Sequence, residues 1–115
     1  MSAVLPSRGD IWSVNFDPTL GREQADARPA LVLSVDKFNH GPAELVIVMP
    51  LTSKDKRQPI HVRVTPPEGG LTVPSFIKCE DIRSVSKQRF KQFYGIITTQ
   101  TMAEVEKRLR ILLNL

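Results

Sequence analysis

Leu45-Val46-Ile47-Val48-Met49-Pro50-Leu51 is an unbroken apolar run dense in β-branched residues, and its reading decides the fold. It is short for a buried helix, and it lacks the alternation of a strand with one wet face. It therefore reads as a strand covered on both sides. Ala30 to Val35 has the same texture upstream, so the two runs are expected at the centre of one sheet. Between them Asn39-His40-Gly41-Pro42 is turn chemistry.

Outward from this centre the chain keeps to short strands. Asp10 to Phe16 sets Ile11, Ser13 and Asn15 against Trp12, Val14 and Phe16, the pattern of a half-buried strand, and stops at Asp17-Pro18. Asp17 to Arg28 is polar and broken by Gly21, which predicts a long surface loop. Lys54 to Pro59 reads as a charged loop and Ile60 to Val64 as a strand. Pro66-Pro67-Glu68-Gly69-Gly70 cannot continue a strand, because proline lacks the ladder donor. Ser75 to Cys79 and Ile82 to Val85 flank the acidic pair Glu80-Asp81, and Phe93 to Ile97 adds one more segment. Strands this short and frequent predict a mainly β fold built as a small barrel. At the end, Met102, Val105, Leu109 and Leu112 recur at helical spacing, giving a closing amphipathic α-helix. Thr98 to Thr101 supply candidate N-cap hydroxyls, with a capping box open to Thr101 and Glu104.

At 115 residues the chain suits one domain, residues 1–115, and leaves no room for a second core. With 41% hydrophobic and 24% charged residues it is balanced like a globular protein rather than a disordered one. Sixteen Lys and Arg against twelve Asp and Glu give a net charge of +4, which attracts polyanions without identifying one. The lone Cys79 excludes an internal disulfide and fits a reducing compartment, so a cytoplasmic location is expected. No apolar run is long enough to span a membrane, and Met1 to Pro6 lacks the features of a signal peptide.

Three groups of residues carry a resemblance. Arg8-Gly9-Asp10-Ile11-Trp12, Asp17-Pro18-Thr19, Gly21, Glu23-Gln24 and Arg28-Pro29-Ala30-Leu31-Val32-Leu33-Ser34 form the first. Pro50-Leu51-Thr52-Ser53 is the second, and Cys79-Glu80-Asp81-Ile82-Arg83-Ser84-Val85 with Lys87-Gln88-Arg89 is the third. In order and spacing they resemble the signature of the MazF/PemK toxins, from about Arg8 to the C-terminus. The resemblance implies an SH3-like β barrel with a C-terminal helix, usually a homodimer. It also implies the toxin of a type II toxin–antitoxin system, a metal-independent, sequence-specific endoribonuclease without cofactors that acts on single-stranded RNA. A cognate antitoxin protein is the second implied partner, the pair binding DNA. Two positions depart from the common pattern. Asp81 stands where a Gln is more usual, and Lys78 where some members have Arg. An ionised acid accepts hydrogen bonds and donates none, so an altered base preference is expected.

Cutting RNA through its own 2′-OH requires neutralisation of charge at the phosphorane and proton transfers at both ends. Arg28 is the first catalytic candidate, since a guanidinium offers a rigid fork of donors matched to phosphate oxygens. Outside the motif it would read as an ordinary charge at a strand start. Thr52 is expected to donate a hydroxyl to the same phosphate, with Ser53 a weaker substitute, although any Thr-Ser pair also suits a turn. Glu23 is the third catalytic candidate, and Gln24 beside it a candidate RNA contact. Lys54, Lys56 and Arg57 are candidates for the phosphate chain, as is Lys78, against the plain alternative of a solvated charge run. Glu80 and Asp81 are candidate acceptors, but neighbours on a strand face opposite ways, so one of them is expected to be structural. His40 and His61 fall outside the motifs, and Cys79, with no metal-ligand spacing around it, reads as a buried thiol. No metal site is indicated.

Two non-catalytic readings compete. A CcdB-like gyrase inhibitor shares the barrel, but acts through a terminal Trp-Gly-Ile, whereas this chain ends Leu113-Asn114-Leu115 and its one tryptophan is Trp12. An inactive SH3-like nucleic-acid-binding module would need neither Arg28 nor Thr52.

Overall fold

The computed structural model describes residues 5–16 and 27–115. In chain order its elements are β1 (Asp10–Asn15), β2 (Ala27–Val32), the one-turn helix α1 (Asp36–Asn39), β3 (Leu45–Thr52), β4 (His61–Val64), β5 (Ser75–Lys78), β6 (Arg83–Ser86), β7 (Phe90–Ile96) and α2 (Thr99–Leu113). The seven strands form one antiparallel sheet, six of them in the order β4-β5-β3-β2-β1-β7 and β6 joined to β3 off that path. β3 is its hub. Its first half pairs with β6 from Leu45 to Val48, and on the same edge its last two residues, Leu51 and Thr52, pair with β5.

The apolar run of β3 lacks alternation because the sheet has a core on each side. Ile11, Leu31, Met49, Val62 and Ile77 pack on one face with Val105 of α2. Val14, Ala30, Val32, Val46, Val48, Val85 and Phe90 pack on the other. Leu31 and Met49 are fully buried, so truncating either to alanine is expected to cost about 2–5 kcal/mol. Trp12 packs edge-on against Phe90 and Phe93, at centroid distances of 5.7 and 5.6 Å, while its indole N–H donates to Asp10 at 3.0 Å. The two ring contacts fasten β1 to β7, while the indole bond stays within β1.

The mainly β fold with its closing helix is as expected, but several local expectations need correction. β2 begins at Ala27 rather than Ala30, because pairing with β1 draws in Arg28 and Pro29, opposite Val14 and Ser13. β7 begins at Phe90, three residues early, for the same reason: Phe90 pairs with Val14. The expected turn at 39–42 is preceded by α1, whose buried Asn39 donates to the carbonyls of Pro6 (3.1 Å) and Ser34 (2.8 Å) and accepts from the Ser34 hydroxyl. The capping box of Thr101 and Glu104 is not formed. Thr98 is the N-cap, accepting from the Thr101 N–H at 3.1 Å, and Glu104 turns to Arg108 at 2.7 Å. Asn114, left-handed at φ 56°, ends the helix.

Among the described residues no ladder joins β7 to β4, so the barrel is unclosed. The gap is covered by the 3-10 turn Glu68–Gly70, which follows β4 and lies on β7. The approach is backbone to backbone. A Cβ on Gly70 would stand 1.9 Å from the Tyr94 carbonyl oxygen, and one on Gly95 would stand 2.7 Å from the Gly69 carbonyl carbon. Gly70 also has φ +71°, so both space and backbone conformation demand glycine there. No helix among the described residues is long and apolar enough to cross a membrane.

Candidate active site

The strand register assembles the site. β2 and β3 pair Ala30 with Pro50 and Leu31 with Met49. Continued two residues towards the loop ends, that register sets Arg28 beside Thr52. Both line a concavity of about 540 Å³, together with Ser53, Lys54, Lys56 and, from β5, Lys78. Pro29, Leu51, Val73 and Ser75 complete its wall. Residues more than twenty positions apart thus converge because the sheet brings the loop ends of β2, β3 and β5 together.

The Thr52 hydroxyl oxygen accepts the Lys54 N–H at 3.1 Å. Its oxygen is thereby fixed in direction while its proton stays available to a ligand. With Arg28 and three lysines around it, the concavity is a cationic cradle suited to phosphate. Arg57 is not part of its wall. It sits at φ 53° in an Asp55-capped turn, its N–H donating to the Asp55 carboxylate at 2.8 Å.

A second concavity of about 250 Å³ adjoins the first and shares Arg28 and Lys78 with it. Phe16, Pro50, Asp81 and Arg83 form the rest. Arg83 grips Asp81 through Nε (3.2 Å) and Nη2 (2.7 and 2.8 Å), and its guanidinium carbon stands 4.8 Å from the Phe16 ring centroid. Lys78 Nζ lies 3.6 Å from Asp81 Oδ2, an oxygen that Arg83 also contacts.

The acidic pair diverges. A turn at Cys79 and Glu80 intervenes between β5 and β6, leaving Asp81 in the second concavity and Glu80 away from both. Glu80 instead meets His61 Nε2 at 3.0 Å. Burial pushes the Glu80 carboxyl up, but the His61 hydrogen bond, a backbone N–H and the charges of His61 and Lys78 outweigh it and hold the group below the usual carboxylate range. His61 Nδ1 is buried without a partner among the described residues.

Cys79 is fully buried, and burial pushes its thiol up to about 11, with Glu80 adding to the shift and the Arg108 charge opposing it. Such a thiol has almost no thiolate at neutral pH and is no nucleophile. His40 Nε2 stands 2.9 Å from the Pro6 carbonyl, a structural contact. Glu23 and Gln24 lie outside the described residues.

A family model for the PemK-like, MazF-like toxin of type II toxin–antitoxin systems matches residues 7–113. The chain belongs to this family. Among curated PemK/MazF relatives, Endoribonuclease MazF9 of Mycobacterium tuberculosis is 33% identical over 94% of this chain and 96% of its own length. Endoribonuclease EndoA of Bacillus subtilis is 29% identical over 97% of each. The crystal structure of MazF from Deinococcus radiodurans superposes with a TM-score of 0.82 at 30% identity, covering 97% of this chain and 99% of that one. A MazE-MazF structure from the same organism gives 0.80 at 31%, covering 97% and 98%. As a PemK/MazF member the chain is a type II system toxin, and the gyrase-inhibitor alternative gives way to it.

Sequence reasoning did not single out Phe16, Arg83, Val73 or Ser75. Arg83 stood inside a quoted motif, but its place on Phe16 depends on a contact across 67 positions of chain, for which no local signal exists.

Proposed function

We propose that this protein is an endoribonuclease that cuts single-stranded RNA at the Arg28–Thr52 concavity by attack of the ribose 2′-OH on the adjacent phosphate. The new bond is 2′-O to phosphorus and the bond broken is phosphorus to 5′-O. A 2′,3′-cyclic phosphate and a 5′-hydroxyl result, the proton lost from the 2′-OH being balanced by one gained at the 5′-oxygen. Arg28 donates to the non-bridging oxygens as charge grows there, and Thr52 adds its hydroxyl. Lys54, Lys56 and Lys78 hold the flanking backbone. The observation that carries this is the convergence of Arg28, Thr52 and three lysines on one concavity in a member of an endoribonuclease-containing family. Glu23 and Gln24 are assigned to the same machinery on the motif alone.

The partners are single-stranded RNA and a cognate antitoxin, whose acidic chain is attracted to the same cationic groove and excludes RNA from it. The working unit is a homodimer, in keeping with the small core and the exposed Ile111, Leu113 and Leu115 at the end of α2. Sedimentation at micromolar concentration is expected to give twice the mass of the chain.

The deciding experiment incubates a long RNA with the protein in EDTA and maps the cut ends. Cleavage is expected to persist, to vanish with 2′-deoxy substitution at the cut, and to fall by at least ~10²-fold for Arg28→Ala. Restoration only by added divalent ions, or an Arg28→Ala variant cutting at the wild-type rate, would remove the assignment.

A further inference from the structure

We infer that the smaller concavity, formed by Phe16, Asp81 and Arg83 beside Arg28 and Lys78, is a nucleobase subsite that reads an acceptor edge, with guanine its preferred occupant. The inference rests on the RNA-cutting assignment of the adjoining concavity. The two hollows share Arg28 and Lys78, so a nucleotide whose phosphate sits on Arg28 has its base within reach of the smaller one.

Arg83 is the reader. Its guanidinium is braced on one side by the Phe16 ring at 4.8 Å and on another by the Asp81 carboxylate, through contacts of 2.7, 2.8 and 3.2 Å. Those contacts use Nε and Nη2. Nη1 makes no hydrogen bond among the described residues, so a donor edge remains for a ligand. A side chain held this way has already lost its rotamer freedom, and binding does not have to remove it again.

Arg28 and Lys78 leave the hollow cationic as a whole, but at Arg83 itself the charge is already paired. Asp81 neutralises Arg83 at contact distance, and a second anion brought to the guanidinium would be repelled by that carboxylate. A neutral carbonyl or ring nitrogen meets no such repulsion. Asp81 is engaged by Arg83 and faced by Lys78, which makes it a positioning residue rather than the reader. Guanine alone offers two adjacent acceptors, O6 and N7, to a guanidinium edge, whereas adenine sets an amino donor beside N7. In single-stranded RNA that edge is open.

The test compares wild type with Arg83→Gln, Arg83→Lys and Phe16→Leu in two measurements. The first maps cut sites on a mixed RNA pool. The second measures binding of non-cleavable 2′-O-methyl oligonucleotides carrying guanine, adenine or 7-deazaguanine at the selected position. Wild type is expected to select guanine at one fixed position by the cut and to bind 7-deazaguanine less well. Arg83→Gln is expected to lower discrimination against adenine there by about tenfold or more while leaving preferences elsewhere in place. Arg83→Lys keeps the charge without the fork and is not expected to restore it.

A uniform loss at all sites with an unchanged pattern would make Arg83 a phosphate clamp and overturn the subsite. So would unchanged cutting and binding, or an effect confined to antitoxin affinity. If Arg28→Ala cut like wild type while Arg83 variants still lost guanine preference in binding, the catalytic assignment would fail and the subsite would stand. If wild type bound none of the oligonucleotides, both would fall.

Discussion

The carboxylate of Glu68 accepts the backbone N–H of Thr98 at 2.9 Å and lies 3.2 Å from its hydroxyl, so the start of α2 is capped by a residue thirty positions upstream. In a capping box that role belongs to the third helical residue, here Thr101, whose side chain cannot fill it as Glu or Gln would. Glu68→Ala is therefore expected to lower unfolding stability by about 1 kcal/mol, the scale of a lost cap. Burial raises the Glu68 carboxyl, but hydrogen bonds from Thr101 and Thr98 outweigh it and hold the group below its usual range. A depressed folded value means that the contribution is complete above the unfolded carboxylate range, about 4.3, and is lost as pH falls through the folded value. Urea melts at stepped pH should show wild type and Glu68→Gln converging at the acid end.

Cys79 gives the opposite sign. Its folded value of about 11 lies above the unfolded one, about 8.5, so the buried neutral thiol contributes fully below ~8.5 and progressively less as pH rises towards 11. Wild-type stability should decline over that window and Cys79→Ala should lose that part of the decline. Iodoacetamide at pH 8 should leave Cys79 unmodified in the folded protein and label it in urea.

The basic loop divides between neighbours. Lys56 lines the larger concavity and Arg57 does not. Lys56→Ala should reduce the salt dependence of RNA binding by about 0.7 in log–log slope, one phosphate contact on a single strand. Arg57→Ala should leave the slope near wild type. Equal slopes for the two variants would remove the distinction.

Glu80 and Asp81 should separate just as sharply. Glu80→Gln weakens the His61 contact and is expected to lower stability without altering where RNA is cut, as it lies outside both concavities. Asp81→Asn releases its grip on Arg83 and is expected to alter the cut pattern with little loss of stability, since that ion pair is exposed. Mapping of cut ends beside thermal melting for the two variants reads both.

What the sequence made legible follows from range. The buried strands β2 and β3 and the period of α2 are local patterns, and Arg28 and Thr52 fall within motifs whose order survives folding, with Lys78 adjoining the third. The early starts of β2 and β7 were hidden because Arg28-Pro29 and Phe90 to Gln92 become strand only by pairing with β1. Asn39 depends on Pro6, and the α2 cap on Glu68, at separations where no window of sequence reaches. The pair Glu80-Asp81 could be recognised as a pair whose members part company, but which one enters the groove depends on a turn at Cys79 and Glu80.

The glycine contact between Gly70 and β7 reaches beyond the covering of the sheet. The chain that leaves that contact runs through Leu71 to Ser75, and its Val73 and Ser75 line the larger concavity together with Thr52. The two edges of an incomplete cylinder are thus clasped by the same strip of backbone that walls the larger concavity. A side chain forced in at Gly95, though it lines neither concavity, would displace the Gly69–Gly70 backbone and disturb the strip that follows it. Damage to the clasp would then register first as poor aim on RNA, in a protein still folded.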